Sequence, residues 1–129
     1  DRGQDMSTKF SKDHEWISVE GNTATIGITA YAQEQLGDVV FVEVPESGKT
    51  VEQGEEAAVV ESVKAASEIF APISGEITAG NAALEDEPAT INADAEGEGW
   101  IFKMTVADAS QLDELMDAAA YKDYVAGLE

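Results

Sequence analysis

Short apolar stretches alternate with polar positions along most of the chain. Glu15-Trp-Ile-Ser-Val19 and Asn22-Thr-Ala-Thr-Ile-Gly-Ile28 flank Gly21-Asn22, and Ala24, Ile26 and Ile28 alternate with Thr23, Thr25 and Gly27. A period of two on either side of a glycine turn predicts a β-hairpin. Thr29 is placed to cap a short helix over Ala30–Leu36, and Gly37 supplies its left-handed stop. Val39-Val-Phe-Val-Glu-Val44 is almost continuously apolar and β-branched, which predicts a central strand covered on both faces. Glu56 to Ser62, Ala66 to Ala71, Glu76 to Thr78 and Trp100 to Val106 read as further short strands, separated by turn signals at Gly54 and at Pro72-Ile-Ser-Gly75. This spacing predicts a small barrel or sandwich rather than alternating βαβ units. After Ser110, read as an N-cap with Asp113 at the third helical position, apolar residues recur at helical spacing from Leu112 to Leu128. One bent helix or two short ones should end the chain.

Composition narrows the picture. A chain of 129 residues holds one domain with one modest core. Asp1 to Asp5 precede Met6 without periodicity and read as an appended remnant, which leaves residues 6–129 as the single domain. The 27 acidic residues against 7 basic ones give a net charge of −20, which disfavours nucleic acid and anionic membrane as partners. Basic or transiently docked protein partners fit better, and the chain is expected to be a monomer. With no cysteine, disulfides, thiolate metal sites and a cysteine nucleophile are excluded. No apolar run approaches the length of a membrane span, so the expected location is the cytoplasm.

Most chemical motifs fail on inspection. Gly48-Lys49-Thr50 ends like a phosphate-binding loop, but Glu43 stands where its first glycine belongs. Asn92, Asp94, Glu96 and Gly97 imitate half of a calcium loop, whose bidentate position is Lys103. Gly97-Glu-Gly99 precedes a strand rather than a helix, and Phe102 replaces the third glycine of a dinucleotide fingerprint. His14, the only histidine, has no second histidine for a zinc pair. A catalytic carboxylate pair among the 27 acidic residues stays open, since paired acids are common catalysts, though most of these acids form a solvated face; no metal site is expected.

Lys64 stands apart. Val59 and Val60 before it, and Ile69 and Phe70 after it, mark the buried bases of two strands, while Glu61, Ser62, Ser67 and Glu68 turn polar toward the middle. Gly54 lies ten residues before the lysine and Gly75 eleven after it, a near-symmetric frame for a hairpin that presents Lys64 to water. On these residues alone, a solubilising charge and a presented modification site are both open.

The segment Val60-Glu-Ser-Val-Lys-Ala-Ala-Ser67, followed by Ala71-Pro-Ile-Ser-Gly75, resembles the lipoyl-attachment hairpin of the glycine-cleavage H proteins, with Glu61, Ser62, Val63 and Ala65 framing the lysine. The resemblance runs from His14-Glu-Trp16 through Tyr31-Ala-Gln-Glu-Gln-Leu-Gly37 and Val40-Phe-Val-Glu43 to Gly97-Glu-Gly-Trp100. Biotin carriers, with methionines beside the lysine, and the lipoyl domains of 2-oxo-acid dehydrogenases, usually with a preceding aspartate, match less well, since Val63 and Ala65 flank Lys64. Ala82, Ala83, Ala93 and Ala95 depart from a stretch that is commonly more polar or aromatic in the family.

The resemblance implies a mainly β fold, a barrel-sandwich hybrid of two small antiparallel sheets with short helices and a C-terminal helix. It implies lipoic acid in amide linkage to Lys64, on a non-catalytic carrier. The carrier would take an aminomethyl group from the pyridoxal-phosphate glycine decarboxylase and pass it to the tetrahydrofolate-dependent aminomethyltransferase. Dihydrolipoamide dehydrogenase would re-oxidise the arm, lipoyl-attaching enzymes would install it, and in a eukaryote the location would be the mitochondrial matrix. It further implies that the loaded arm folds into a cleft beside Asp13, His14, Glu15 and Trp16. A lipoyl-relay or sulfur-carrier paralogue would share the motif, and a non-lipoylated acidic adaptor is the alternative from another class.

Overall fold

The computed structural model describes residues 7–128; the segment read as an appended remnant lies outside them. Its strands are β1 (Ser7–Phe10), β2 (Glu15–Glu20), β3 (Thr23–Ile28), β4 (Val39–Glu43), β5 (Thr50–Val51), β6 (Glu56–Ser62), β7 (Ala66–Phe70), β8 (Gly75–Gly80) and β9 (Phe102–Thr105). The helices are α1 (Ala30–Leu36), α2 (Ala83–Asp86), α3 (Thr90–Asp94) and α4 (Ala118–Leu128), with a 3-10 turn over Ala109–Glu114.

Among the described residues all strand pairs are antiparallel, in two sheets. Six strands follow the order β1-β2-β3-β9-β8-β5, and three follow β4-β6-β7. Inward positions of both sheets meet in one core, where Ile17, Ile26, Val42, Val60, Ile69, Ile77 and Phe102 are buried together. The period-two alternation of β3 puts Ala24, Ile26 and Ile28 inside, as its sequence predicts. A second cluster of Phe10, Trp16 and Tyr121 holds α4 against the start of β2. Phe10 and Tyr121 stack there at 4.7 Å between centroids.

The helix at Ala30–Leu36 forms as its caps dictate. Thr29 accepts a hydrogen bond from the Ala32 amide, and Gly37, at φ 81°, ends the helix. At the C-terminal end the capping residue is Asp108 rather than Ser110, and its carboxylate accepts from the Ser110 amide and hydroxyl at 3.0 and 2.6 Å. The 3-10 turn that follows is separated from α4, so two short helical pieces end the described chain.

One strand differs in kind from its expectation. β4 is an edge strand, not a central one. A bulge between Val39 and Phe41 puts two residues opposite the Glu61–Ser62 step of β6. Val39 and Val42 therefore face the core, at 4% and 1% exposure, while Val40 and Phe41 face outward at 55% and 47%. The continuous apolar run reflects one buried face and one exposed apolar face, rather than burial on both.

Candidate functional site

β6 and β7 pair from Glu56↔Phe70 to Glu61↔Ala66 and leave Ser62 to Ala65 as the tip. Ser62 closes this turn. Its amide donates to the Ala65 carbonyl at 2.8 Å, and its hydroxyl oxygen accepts from the Lys64 and Ala65 amides, both at 3.1 Å. A serine hydroxyl that takes over backbone partners in this way fixes a turn without helix or ladder bonds. Val63 donates its amide to the Asp38 carbonyl at 3.0 Å, which ties the tip to the α1–β4 junction.

That junction is itself braced from α3. Asn92 accepts from the Val39 amide and donates to the Gln33 side chain and the Gly37 carbonyl, each at 2.8 Å. The residue that looked like part of a calcium loop thus satisfies backbone groups at the end of α1. Gly37 has a second task beyond ending the helix. A Cβ built on it would lie 3.0 Å from Lys64 Cε and 3.8 Å from Nζ, so the missing side chain leaves room for the lysine stem. Lys64, Val63 and Ala65 are exposed at the tip, as the polar drift of the flanking strands predicts.

The His14-Glu15-Trp16 segment lies at the other end of β7. Glu15 is only 2% exposed. One carboxylate oxygen accepts from the Ser11 hydroxyl at 2.9 Å and the other from the Phe70 amide, also at 2.9 Å. It therefore joins the start of β2 to the edge of the smaller sheet. From Ala66 beside the tip to Phe70 is about 13 Å at ~3.3 Å per residue. His14 occupies left-handed backbone at φ 68°, half-buried, and its ring Nδ1 lies 2.8 Å from the Tyr121 hydroxyl. That hydroxyl also meets Thr29 Oγ1 at 2.7 Å. Burial lowers the His14 pKa, partly offset by the charge of Asp13, and raises that of Tyr121. Trp16 donates from Nε1 to the Ala95 carbonyl at 3.0 Å, while Asp13 is exposed.

Burial pushes the Glu15 carboxyl up to about 7, against the pull of its Phe70 and Ser11 hydrogen bonds. An acid with a higher pKa folded than unfolded stabilises the fold fully below its unfolded value of 4.5, and loses that contribution as pH rises through about 7. The stability of the protein relative to its Glu15→Gln variant should therefore fall by on the order of 3 kcal/mol from about pH 4 to about pH 8. Urea midpoints of both proteins across this range check it, and a pH-independent difference would contradict the assigned protonation.

The Phe70 amide, the bracing role of Asn92 and the space over Gly37 have no signal in the sequence as site features because each acts through a partner distant in the chain, and Ser11, four residues before Glu15, lies in a turn that no spacing marks. Only the glycine carried a signal, as the helix stop.

Two sheets packed as a sandwich, with a lysine held out on a braced hairpin of the smaller one, define the barrel-sandwich class of carrier fold. The chain belongs to the glycine cleavage H-protein family, whose model matches residues 8–127. It is 61% identical to the glycine cleavage system H protein of Beijerinckia indica over 92% of this chain and 95% of that one. Identity to the H protein of Paramagnetospirillum magneticum is 57%, over 95% and 98% of the two chains. The fold is similar to the crystal structure of a glycine cleavage system H protein from Mycobacterium marinum, with a TM-score of 0.85 and 39% identity over 93% and 97% of the chains.

Proposed function

We propose that Lys64 carries lipoic acid in amide linkage and that the chain is the mobile carrier of the glycine cleavage system. In this reading the dithiolane supplies the redox and group-carrying chemistry. The chain accepts the aminomethyl group of glycine from the pyridoxal-phosphate decarboxylase and delivers it to the tetrahydrofolate-dependent aminomethyltransferase. Dihydrolipoamide dehydrogenase then takes the electrons. The protein itself contributes presentation and shelter.

The observation that carries the reading is the seating of Lys64. Its amide is fixed by Ser62, its stem crosses the open space over Gly37, and its end is exposed. A lysine that served only solubility would gain nothing from a turn closed by a serine, with its stem laid over a glycine.

Shelter falls to the start of β2. The exposed Asp13 offers a carboxylate to the ammonium of the loaded arm, for which a charge-assisted hydrogen bond is the natural clamp, while Glu15, buried and held by Ser11 and the Phe70 amide, fixes the segment that presents it. The distance along β7 exceeds the reach of the bare lysine and suits a stem lengthened by a lipoyl chain.

Glycine–bicarbonate exchange tests this function. With purified glycine decarboxylase, the lipoylated chain should support exchange and the unlipoylated chain should not. A chain that accepts lipoate on Lys64 yet supports no exchange would instead be a lipoyl-relay paralogue.

A further inference from the structure

Four large hydrophobic side chains are strongly exposed among the described residues: Val40, Phe41, Val63 and Leu128. Three of them gather at one place. The β4 bulge turns Val40 and Phe41 outward, the Phe41↔Glu61 pair carries the surface across to β6, and the Val63 amide is tied to Asp38, one residue before β4. Val63 is 67% exposed and immediately precedes Lys64. Further along the same outward face run Glu43, Val59 and Glu68 in cross-strand register, and Glu61↔Ala66 completes the row behind the tip. The result is an apolar centre with a rim of three carboxylates, Glu43, Glu61 and Glu68, and no basic side chain in these rows.

Exposed apolar side chains on an unpaired edge strand favour aggregation, and edge strands are ordinarily blunted by charge, proline or cover. Here the bulge creates the exposure instead of hiding it. Grouped apolar residues inside a polar rim have the composition of a recognition surface.

We propose that this face, centred on Val40, Phe41 and Val63, is the docking surface for the enzyme that acylates Lys64. The inference rests on the reading of Lys64 as the lipoyl site. Reach selects the occupant. An enzyme that forms the amide must bring its activated acyl group to Nζ of the unmodified lysine, and so must close over the hairpin tip and the face continuous with it. Enzymes that use the finished arm meet its sulfur end a whole lipoyl chain further out, and need not cover Val40 or Phe41. Charge agrees, since a partner with an apolar pocket edged by lysine or arginine would match the carboxylate rim and be steered by the net charge of −20.

The test is lipoylation of the full chain by a purified lipoate–protein ligase with ATP and lipoate, followed by mass spectrometry. The double variant Val40→Ser, Phe41→Ser should lose about tenfold or more in kcat/KM, mainly through a raised KM for the carrier. Leu128→Ser, an exposed apolar residue elsewhere, should stay at the wild-type value. Circular dichroism and melting check that the fold is kept; if the double variant fails there, Val63→Ser, in a turn outside the ladder, takes its place with the same expectation. Wild-type kinetics in a folded variant would overturn the proposal while leaving the lipoyl site standing. A wild-type chain that the ligase does not modify at Lys64 would overturn both. Two other results would also overturn it: normal lipoylation with lost glycine–bicarbonate exchange, which would assign the face to the decarboxylase, or a wild-type dimer that the double variant abolishes, which would assign it to a second copy.

Discussion

Replacing Lys64 by arginine is expected to abolish lipoylation and with it every carrier activity, while the melting transition stays where it was. Arginine keeps the length and the positive charge, but its guanidinium is not deprotonated in proteins and offers no acylatable amine. The stability should hold because Lys64 is exposed and the turn is closed by backbone groups and the Ser62 hydroxyl, none of which the substitution touches. A stricter form moves the lysine by one place. In Val63→Lys, Lys64→Val the amine stands on the residue whose amide is tied to Asp38, and it leaves the space over Gly37. Ligase activity on that protein should fall close to the arginine level. Modification of Lys49, Lys103 or Lys122 in the arginine variant would show that the attachment site lies elsewhere.

The largest effect on stability should come from Gly75→Ala. Gly75 opens β8 opposite Val51, and a Cβ there would run into the Thr105 carbonyl oxygen and lie 3.2 Å from the Met104 side chain. The obstacle is backbone of the neighbouring strand, which cannot swing aside as a flexible side chain can. Forcing the strands apart should cost about 3 kcal/mol, at the upper end of the range for overpacking. Urea unfolding checks it: the midpoint should drop with the slope unchanged. A loss under about 1 kcal/mol would show that β8 and β9 adjust freely. The residue that frames the hairpin in the sequence thus owes its identity to sheet packing, not to the turn.

That contrast marks what the sequence makes legible. The β2–β3 hairpin, α1 and the Lys64 hairpin are set by local patterns: a period of two, a threonine cap, a glycine stop, and polarity rising toward a tip. Local rules suffice where neighbours in the chain are the partners. They fail for β4, because a run of valines and a phenylalanine has the same composition whether it is covered on both faces or bulged with one apolar face exposed. The partner that decides between these, β6, enters only in the fold. They fail at Ser110 because Asp108 is an equally good cap two residues earlier. The strands β1 and β5 escape notice because they are short and lack alternation, and are held by pairing with β2 and β8. The Asn92 brace and the Glu15 link are contacts across 53 and 55 positions, and no spacing within either segment announces them. The His14-Glu15-Trp16 segment is singled out in the sequence only by the family resemblance, and its local pattern does not show that the Glu15 carboxylate is buried and held by Ser11 and the Phe70 amide.

The central claim is that one lysine, on one braced tip, bears the arm, and peptide mapping by mass spectrometry tests it most directly. After treatment with lipoate ligase, the whole gain of one lipoyl group should sit on the peptide containing Lys64, with Lys49, Lys103 and Lys122 unmodified. Lipoyl on any of those three while Lys64 stays free would contradict the account.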